Sequence, residues 1–377
     1  MLRVAMIGDH SDQHGKVDGG VQAVTKYLVN AMKNIADAEL HVISHSYGID
    51  TAQTIEEDGY MRYVLPGKRF GTMTGYWQSQ FQLGKLLKSI RPDIVHGQGV
   101  GHDGIIAMRS PYPSVLTIHG ILPEEASHFP SARRRARHRV QNELSKHYCI
   151  RNAQHTILIS PYVADYWGDL LGGQHYLIPN PTAPGFFEID RQEERGRILF
   201  AGKIRSLKGV TDLVRAAATI SIKSELKIVL AGSLEESEYV KLVKHEVDAA
   251  GMGGQVDFVG ILDDLALRQE LSRAAVLVLP SYQETAPMVI QEAMASGVPV
   301  IATTIGGIPY QVDDGESGFL FDPGDVDTMA KRIETLLCNT SMRQSFSATA
   351  KSRALENYQA DSVAAATVEI YKQIIGT

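Results

Sequence analysis

Two cysteines in 377 residues, Cys149 and Cys338, give this chain neither a disulfide framework nor a thiolate metal set. A reducing cytosol is therefore the expected compartment. No apolar run approaches the roughly 20 residues of a membrane span. The N-terminal MLRVAMIG is too short for a secretory leader and carries no cleavage site. A basic excess is also missing. The 37 Lys and Arg residues stand against 43 Asp and Glu, a net charge of −6, which argues against bulk neutralisation of nucleic-acid phosphates. The turn after the first strand-like run reads GDHSDQHGKVDGG and not GxGxxG. A nicotinamide dehydrogenase is therefore disfavoured.

What is present is a globular composition, 44% apolar and 21% charged, at a length that suits two to three domains. Strand-like runs at Val4 to Ile7, Leu40 to Ile43, Ile94 to His96, Val115 to Ile118 and Thr156 to Ile159 alternate with helical stretches. The first helix presents Val21, Val24, Leu28, Met32 and Ile35 on one face. Such alternation predicts a parallel doubly wound sheet. From Tyr176 to Arg197 the composition shifts to proline and charge, and the segment reads as a linker. A second series follows, with strands at Arg197 to Ala201, Leu226 to Leu230, Val256 to Leu262, Val276 to Leu279 and Val300 to Thr303. A last helix spans Ser362 to Ile375.

The stretch from Leu279 to Gly307, LPSYQETAPMVIQEAMASGVPVIATTIGG, organises the second half. Glu284 follows a buried strand. Pro287 suits a helix start, where its missing N–H costs nothing. Gly297 and Pro299 end that helix. The amides of Met288 and Val289 are among the helix's first donors, which lack partners within the helix. Glu284 and Glu292 can face one crevice beside them. Carboxylates beside free amides suit a ligand rich in paired hydroxyls, such as a sugar or ribose. In open α/β sheets, ligands bind at such strand ends. Upstream, in GKIRSLKGV, Lys203 and Lys208 occupy a strand-to-helix turn, where two ammonium groups beside helix amides suit a diphosphate.

Together these motifs resemble those of the GT-B glycosyltransferases, above all glycosyltransferase family 4. The resemblance spans the chain and is stronger in the second half. It implies two doubly wound parallel-sheet domains facing a cleft: residues 1–185 for the acceptor and 186–361 for the donor, with the helix 362–377 packing back onto the first. It implies transfer of a hexosyl group, with retention of configuration, from a nucleotide sugar to a hydroxyl of a glycan or lipid-linked acceptor. A UDP-sugar such as UDP-glucose is the expected donor, with no cofactor and no metal. The implied donor contacts are Gly19, Gly20, Lys203, Lys208, Gly232, Gly260, Ile261, Glu284, Ala286, Pro287, Met288, Val289 and Glu292. His119, Glu284 and Lys208 are the expected catalytic residues, with His119 touching the transferred sugar or its phosphate. His96 is open between a structural and a functional reading. The chain departs from the family pattern in three places. Lys203 stands where arginine is usual, Pro181 where glycine is commoner, and Tyr310-Gln311 where an acid often follows GG-x-P.

Three further features bear on partners. Arg133, Arg134, Arg135, Arg137 and Arg139 lie in a helix-like stretch, Ser131 to Tyr148, that reads either as a solvated face or as a patch for anionic headgroups at the inner face of a membrane. Phe70, Tyr76 and Trp77 in the stretch Gly67 to Gln80 suit either an acceptor groove or burial against the sheet. Asp325-Val326-Asp327 matches a metal-binding DxD, but aspartates at a helix start are better explained as caps. No nucleic-acid partner is expected. A sugar-nucleotide epimerase of the same fold and a non-catalytic nucleotide- or glycan-binding subunit are the alternatives.

Overall fold

The structure is a computed structural model. It describes residues 1–10, 19–35, 38–46, 48–67, 76–121, 132–234 and 236–376, with backbone alone for 132–138 and 223. Two compact units emerge. One comprises Met1–Pro181 with Ala360–Thr377, and the other Thr182–Gln359.

The first unit is built on an eight-stranded sheet. Its strands are β1 (Leu2–Ile7), β2 (Ala38–Ser46), β3 (Gln53–Glu57), β4 (Tyr60–Pro66), β5 (Ile94–Gln98), β6 (Ser114–Ile118), β7 (His155–Leu158) and β8 (Gln174–Leu177). They run in the order β3-β4-β2-β1-β5-β6-β7-β8. All neighbours are parallel except β3 and β4, which form a hairpin closed by Asp58-Gly59, with Gly59 at φ 84°. That dipeptide is the strong two-residue hairpin signal. The hairpin departs from the parallel sheet that the alternation of strands and helices predicts. β8 and a short helix, Pro184–Phe187, occupy ground that composition assigned to a linker.

The second unit carries β9 (Arg197–Ala201), β10 (Lys227–Ala231), β11 (Val256–Gly260), β12 (Val276–Leu279), β13 (Val300–Thr303) and β14 (Gly318–Phe321), in the order β11-β10-β9-β12-β13-β14 and parallel throughout. The side chains of β12, Val-Leu-Val-Leu, are all buried. Helices cover both faces of such a sheet, so its central strands are continuous apolar runs without alternation. The strand-order reversal lies between β9 and β12, where the first turn of each half of the sheet opens.

The C-terminal helix, Ala360–Ile375, completes the first unit's core. Its Val363, Ala364, Val368 and Tyr371 pack with Leu28 and Met32 of the first helix (Gly20–Met32) and with Val4, Met6 and Ile94 of the sheet. Among the described residues no helix is long and apolar enough to cross a membrane.

Candidate active site

In the second unit, the loops after β9 and β12 meet at the switch point. After β9, Ser206–Lys208 form one 3-10 turn, and Gly209 then takes the left-handed conformation at φ 63° to start the helix Val210–Thr219. A Cβ on Gly209 would lie 2.1 Å from Pro280 O, so only glycine lets this turn approach the end of β12. Tyr282 N donates to Leu207 O at 2.8 Å and ties the two loops. Tyr282 Oη donates to Asp212 Oδ2 at 2.6 Å; that bond, with burial, pushes the phenol up to about 12.

This tie brings Lys208 and Glu284 together. Lys208 Nζ donates to Glu284 Oε1, and Ser281 Oγ donates to the same oxygen at 2.8 Å. Both side chains are largely buried, 14% and 9% exposed. Ser281 is itself fixed by the Thr303 hydroxyl on its carbonyl, at 2.7 Å. Glu284 therefore sits on a braced loop beside the helix Met288–Ala295. That helix begins after Pro287 without a side-chain cap, so Pro287 is the capping residue and not the first helical one. Ala286, Met288 and Glu292 are buried and Val289 is half-buried. Ser296 Oγ donates to the Glu292 carbonyl at 2.7 Å, holding the far end of this short helix.

At the β9 and β10 ends, Gly232 donates to Gly260 O at 2.7 Å, and Gly202 donates to Ala231 O at 2.9 Å. A Cβ on Gly232 would meet Gly202 O at 1.9 Å. The glycines thus bring three strand ends close together, with Lys203 half-buried among them. Gly260 takes φ 73° and Ile261 beside it is 40% exposed. Asp325 caps the helix Val326–Cys338 by accepting from Thr328 N at 3.0 Å, as expected for a structural aspartate.

The first unit carries the other candidates. Gly19 precedes the first helix and Gly20 opens it, both exposed and without a side-chain cap. His119 follows β6, and its Nε2 lies 2.6 Å from Gln98 Oε1. Burial holds its pKa down at about 4, with the nearby Asn180, acting as an acceptor, opposing it. His96 is wholly buried. Its Nδ1 lies 2.5 Å from Tyr371 Oη and its Nε2 2.7 Å from Thr117 Oγ1. Gln98 Nε2 is 3.2 Å from His96 Nε2. Burial, then the neighbouring His119, hold His96 down at about 3. His96 is thus a core residue joined by hydrogen bonds to His119, a link that spacing alone did not reveal.

Sequence reasoning also missed a cluster at the β2 and β5 ends. His45 Nδ1 and His102 Nδ1 each lie 2.9 Å from Asp103 Oδ1. Burial opposes ionisation of Asp103, but the hydrogen bonds from His102 and His45 outweigh it and keep the carboxyl well below its usual range. These three are the one group among the described residues compact enough to hold a metal ion, and the two N–H···O bonds account for their packing without one. The motif GHDG was the available signal.

Of the partner candidates, the backbone of 132–145 is helical, continuing into a π-helical turn at Lys146–Arg151. Arg139 is exposed, and so is Val140, at 51%. The side chains of Arg133, Arg134, Arg135 and Arg137 lie outside the described residues, as does Phe70. Tyr76 is buried and Trp77 is 61% exposed.

The chain can now be set beside known proteins. Residues 18–184 match the family described as Glycosyltransferase Family 4, and residues 185–353 match Glycosyl transferases group 1. An uncharacterised glycosyltransferase of Methanocaldococcus jannaschii is 30% identical over 184 residues, 49% of this chain and 46% of that protein. The matched segment is thus under half of that relative's length. The structure of a sucrose-phosphate synthase from Thermosynechococcus elongatus superposes with a TM-score of 0.84 at 21% identity, over 100% of both chains. That of Anabaena HepE in complex with UDP-glucose gives 0.72 at 19% identity, over 99% of this chain and 100% of the other. At these identities the likeness is one of fold. With two adjoining family matches over residues 18–353 and a fold shared along the whole chain, this protein belongs to the GT-B glycosyltransferases of family 4.

Proposed function

We propose that the protein transfers a hexosyl group from a nucleotide sugar to a hydroxyl of a glycan or lipid-linked acceptor, with retention of configuration. The carrying observation is the buried Lys208–Glu284 pair, braced by Ser281 beside the uncapped start of Met288–Ala295. It sets a cation, an anion and free amides side by side at a strand-order reversal. A nucleotide sugar needs that combination: positive field for its diphosphate and acceptors for its hydroxyls.

In this reading the diphosphate takes the Lys208 ammonium, with Lys203 and the helix amides as its other partners. Glu284, relieved of Lys208, accepts from the sugar hydroxyls, and Glu292 from the ribose. His119 touches the transferred sugar. The acceptor oxygen bonds to the anomeric carbon on the face that the phosphate leaves. The bond from that carbon to the phosphate oxygen breaks, and the acceptor's proton passes to the leaving phosphate. The field of Lys208 and Lys203 offsets the charge that develops on the diphosphate. UDP-glucose is the donor we favour, because the fold is shared with a protein whose structure contains it. An acceptor displayed at a membrane would suit the arginines of residues 133–139.

The test is a thermal-shift screen against UDP-, GDP- and ADP-sugars, since a ligand of the native state raises stability by mass action. A shift with a UDP-sugar that disappears in Lys208→Ala supports the reading. A shift with none of them overturns it. Liposome co-sedimentation of charge-reversed Arg133 to Arg139 variants tests the membrane contact, and unchanged binding removes it.

A further inference from the structure

Tyr371, on the C-terminal helix, is fully buried, and His96 Nδ1 is its one hydrogen-bond partner among the described residues. A buried hydroxyl proton without an acceptor is costly. Tyr371 therefore donates, and His96 Nδ1 must be the bare nitrogen. Neutral imidazole has one N–H, so His96 carries its proton on Nε2, 2.7 Å from Thr117 Oγ1 and 3.2 Å from the amide end of Gln98. Thr117 Oγ1 can accept that proton, but the Gln98 amide nitrogen then sets donor against donor at 3.2 Å, a conflict that ends when Gln98 turns its amide over. The two ends of the amide interchange by a half-turn with no change of shape.

The same half-turn resolves a second difficulty. With Gln98 Oε1 toward His119, the ring must donate from Nε2. Its buried Nδ1 is then bare and makes no hydrogen bond among the described residues. Yet Asn180 lies close enough to draw the ring's pKa upward, as an acceptor does. With the amide turned, Gln98 donates to Nε2, and Nδ1 carries the proton, the form that an acceptor such as the Asn180 amide oxygen favours. The Thr117 hydroxyl is left to find an acceptor by rotation.

We propose that Tyr371 sets the direction of this chain of hydrogen bonds, through His96 and Gln98, and holds His119 as the Nδ1–H tautomer. Tyr371, His96 and Gln98 are then positioning residues. His119 contributes a fixed neutral ring and has no nitrogen with which to take the acceptor's proton, which agrees with the leaving phosphate doing so. The bearing on transfer rests on the proposed function; the tautomer does not.

The test uses the full chain with ¹⁵N-labelled histidine, without ligand, and reads the ring nitrogens by NMR at about pH 7, well above the His119 pKa of about 4. His119→Asn assigns the signals. The expected pattern for His119 is a protonated Nδ1 and a bare Nε2. Tyr371→Phe should move those signals, although Tyr371 does not touch His119. Gln98→Glu places an acceptor against Nε2 and should swap the pattern to Nε2–H, which keeps the test open if Tyr371→Phe does not fold. An Nε2–H signature in the wild type overturns the proposal, as does a His119 pattern unmoved by Gln98→Glu. Since no substrate is present, a protein that passes this test and transfers no sugar refutes the function alone.

Discussion

The Lys208 ammonium and the Glu284 carboxylate pair where the loop after β9 meets the loop after β12. The pair does two jobs that can be measured separately. It keeps two buried charges tolerable, and it holds the cation and the anion where a nucleotide sugar would separate them.

For catalysis, Lys208→Ala should lower kcat on the order of 10²-fold or more, the scale of one lost electrostatic donor at a developing charge. Steady-state kinetics with a nucleotide sugar is the measurement. Turnover near wild type would remove Lys208 from the mechanism.

For stability, Glu284→Ala strands a buried ammonium and should cost about 3 kcal/mol in the second unit, the usual penalty for breaking such a pair. Replacing both residues, Lys208→Met with Glu284→Leu, should cost less than the single change. Denaturant unfolding of the single and double variants checks this. A double variant as unstable as the sum of two single losses would mean that the residues are not coupled.

Gly209→Ala should destabilise by at least about 1 kcal/mol, because it forces a left-handed conformation onto a residue with a Cβ aimed at Pro280 O. It should also weaken nucleotide-sugar binding, since the turn it disturbs carries Lys208. Calorimetry of unfolding and of binding reads both. A variant with unaltered stability would show that the two loops can part without cost.

Stability should fall as the solution is acidified from about pH 6.5 toward pH 4. His119 and His96 are neutral when folded, with pKa values of about 4 and about 3, and take up protons in the unfolded chain near 6.5. Across that window the unfolded state binds more protons, so protonation favours unfolding. His119→Asn should flatten the slope of melting temperature against pH relative to wild type. An identical slope would mean that His119 titrates alike in both states.

Transfer should persist after treatment with a chelator, because Lys208, Lys203 and helix amides are the proposed partners of the diphosphate. Complete loss restored by magnesium or zinc would overturn that part of the reading.

Much of this is legible in the sequence. Apolar strands covered on both faces read as continuous runs, and punctuation such as Pro287, Gly297 and Pro299 fixed the helix beside Glu284. What escaped depended on contacts distant in sequence. Nothing local to Tyr371 says that it meets His96, 275 positions away. Nothing near Lys208 says that Glu284 will take its ammonium. The β3–β4 hairpin escaped for a different reason. β3, Gln-Thr-Ile-Glu-Glu, carries a single apolar residue and so lacks the apolar run that marks the other strands, and Asp58-Gly59 joins it to β4 in a chain whose other strands are all parallel to their neighbours.

The helix Ala360–Ile375 seals the first unit's core with Tyr371, Val363 and Val368, although some 180 residues of the second unit are made before it. On the ribosome, therefore, the earlier half must wait, half-closed and with apolar surface open, while the later half is synthesised and folds. A nascent chain stalled near residue 359 should engage chaperones through its N-terminal half, and release should follow only once the last sixteen-residue helix has emerged.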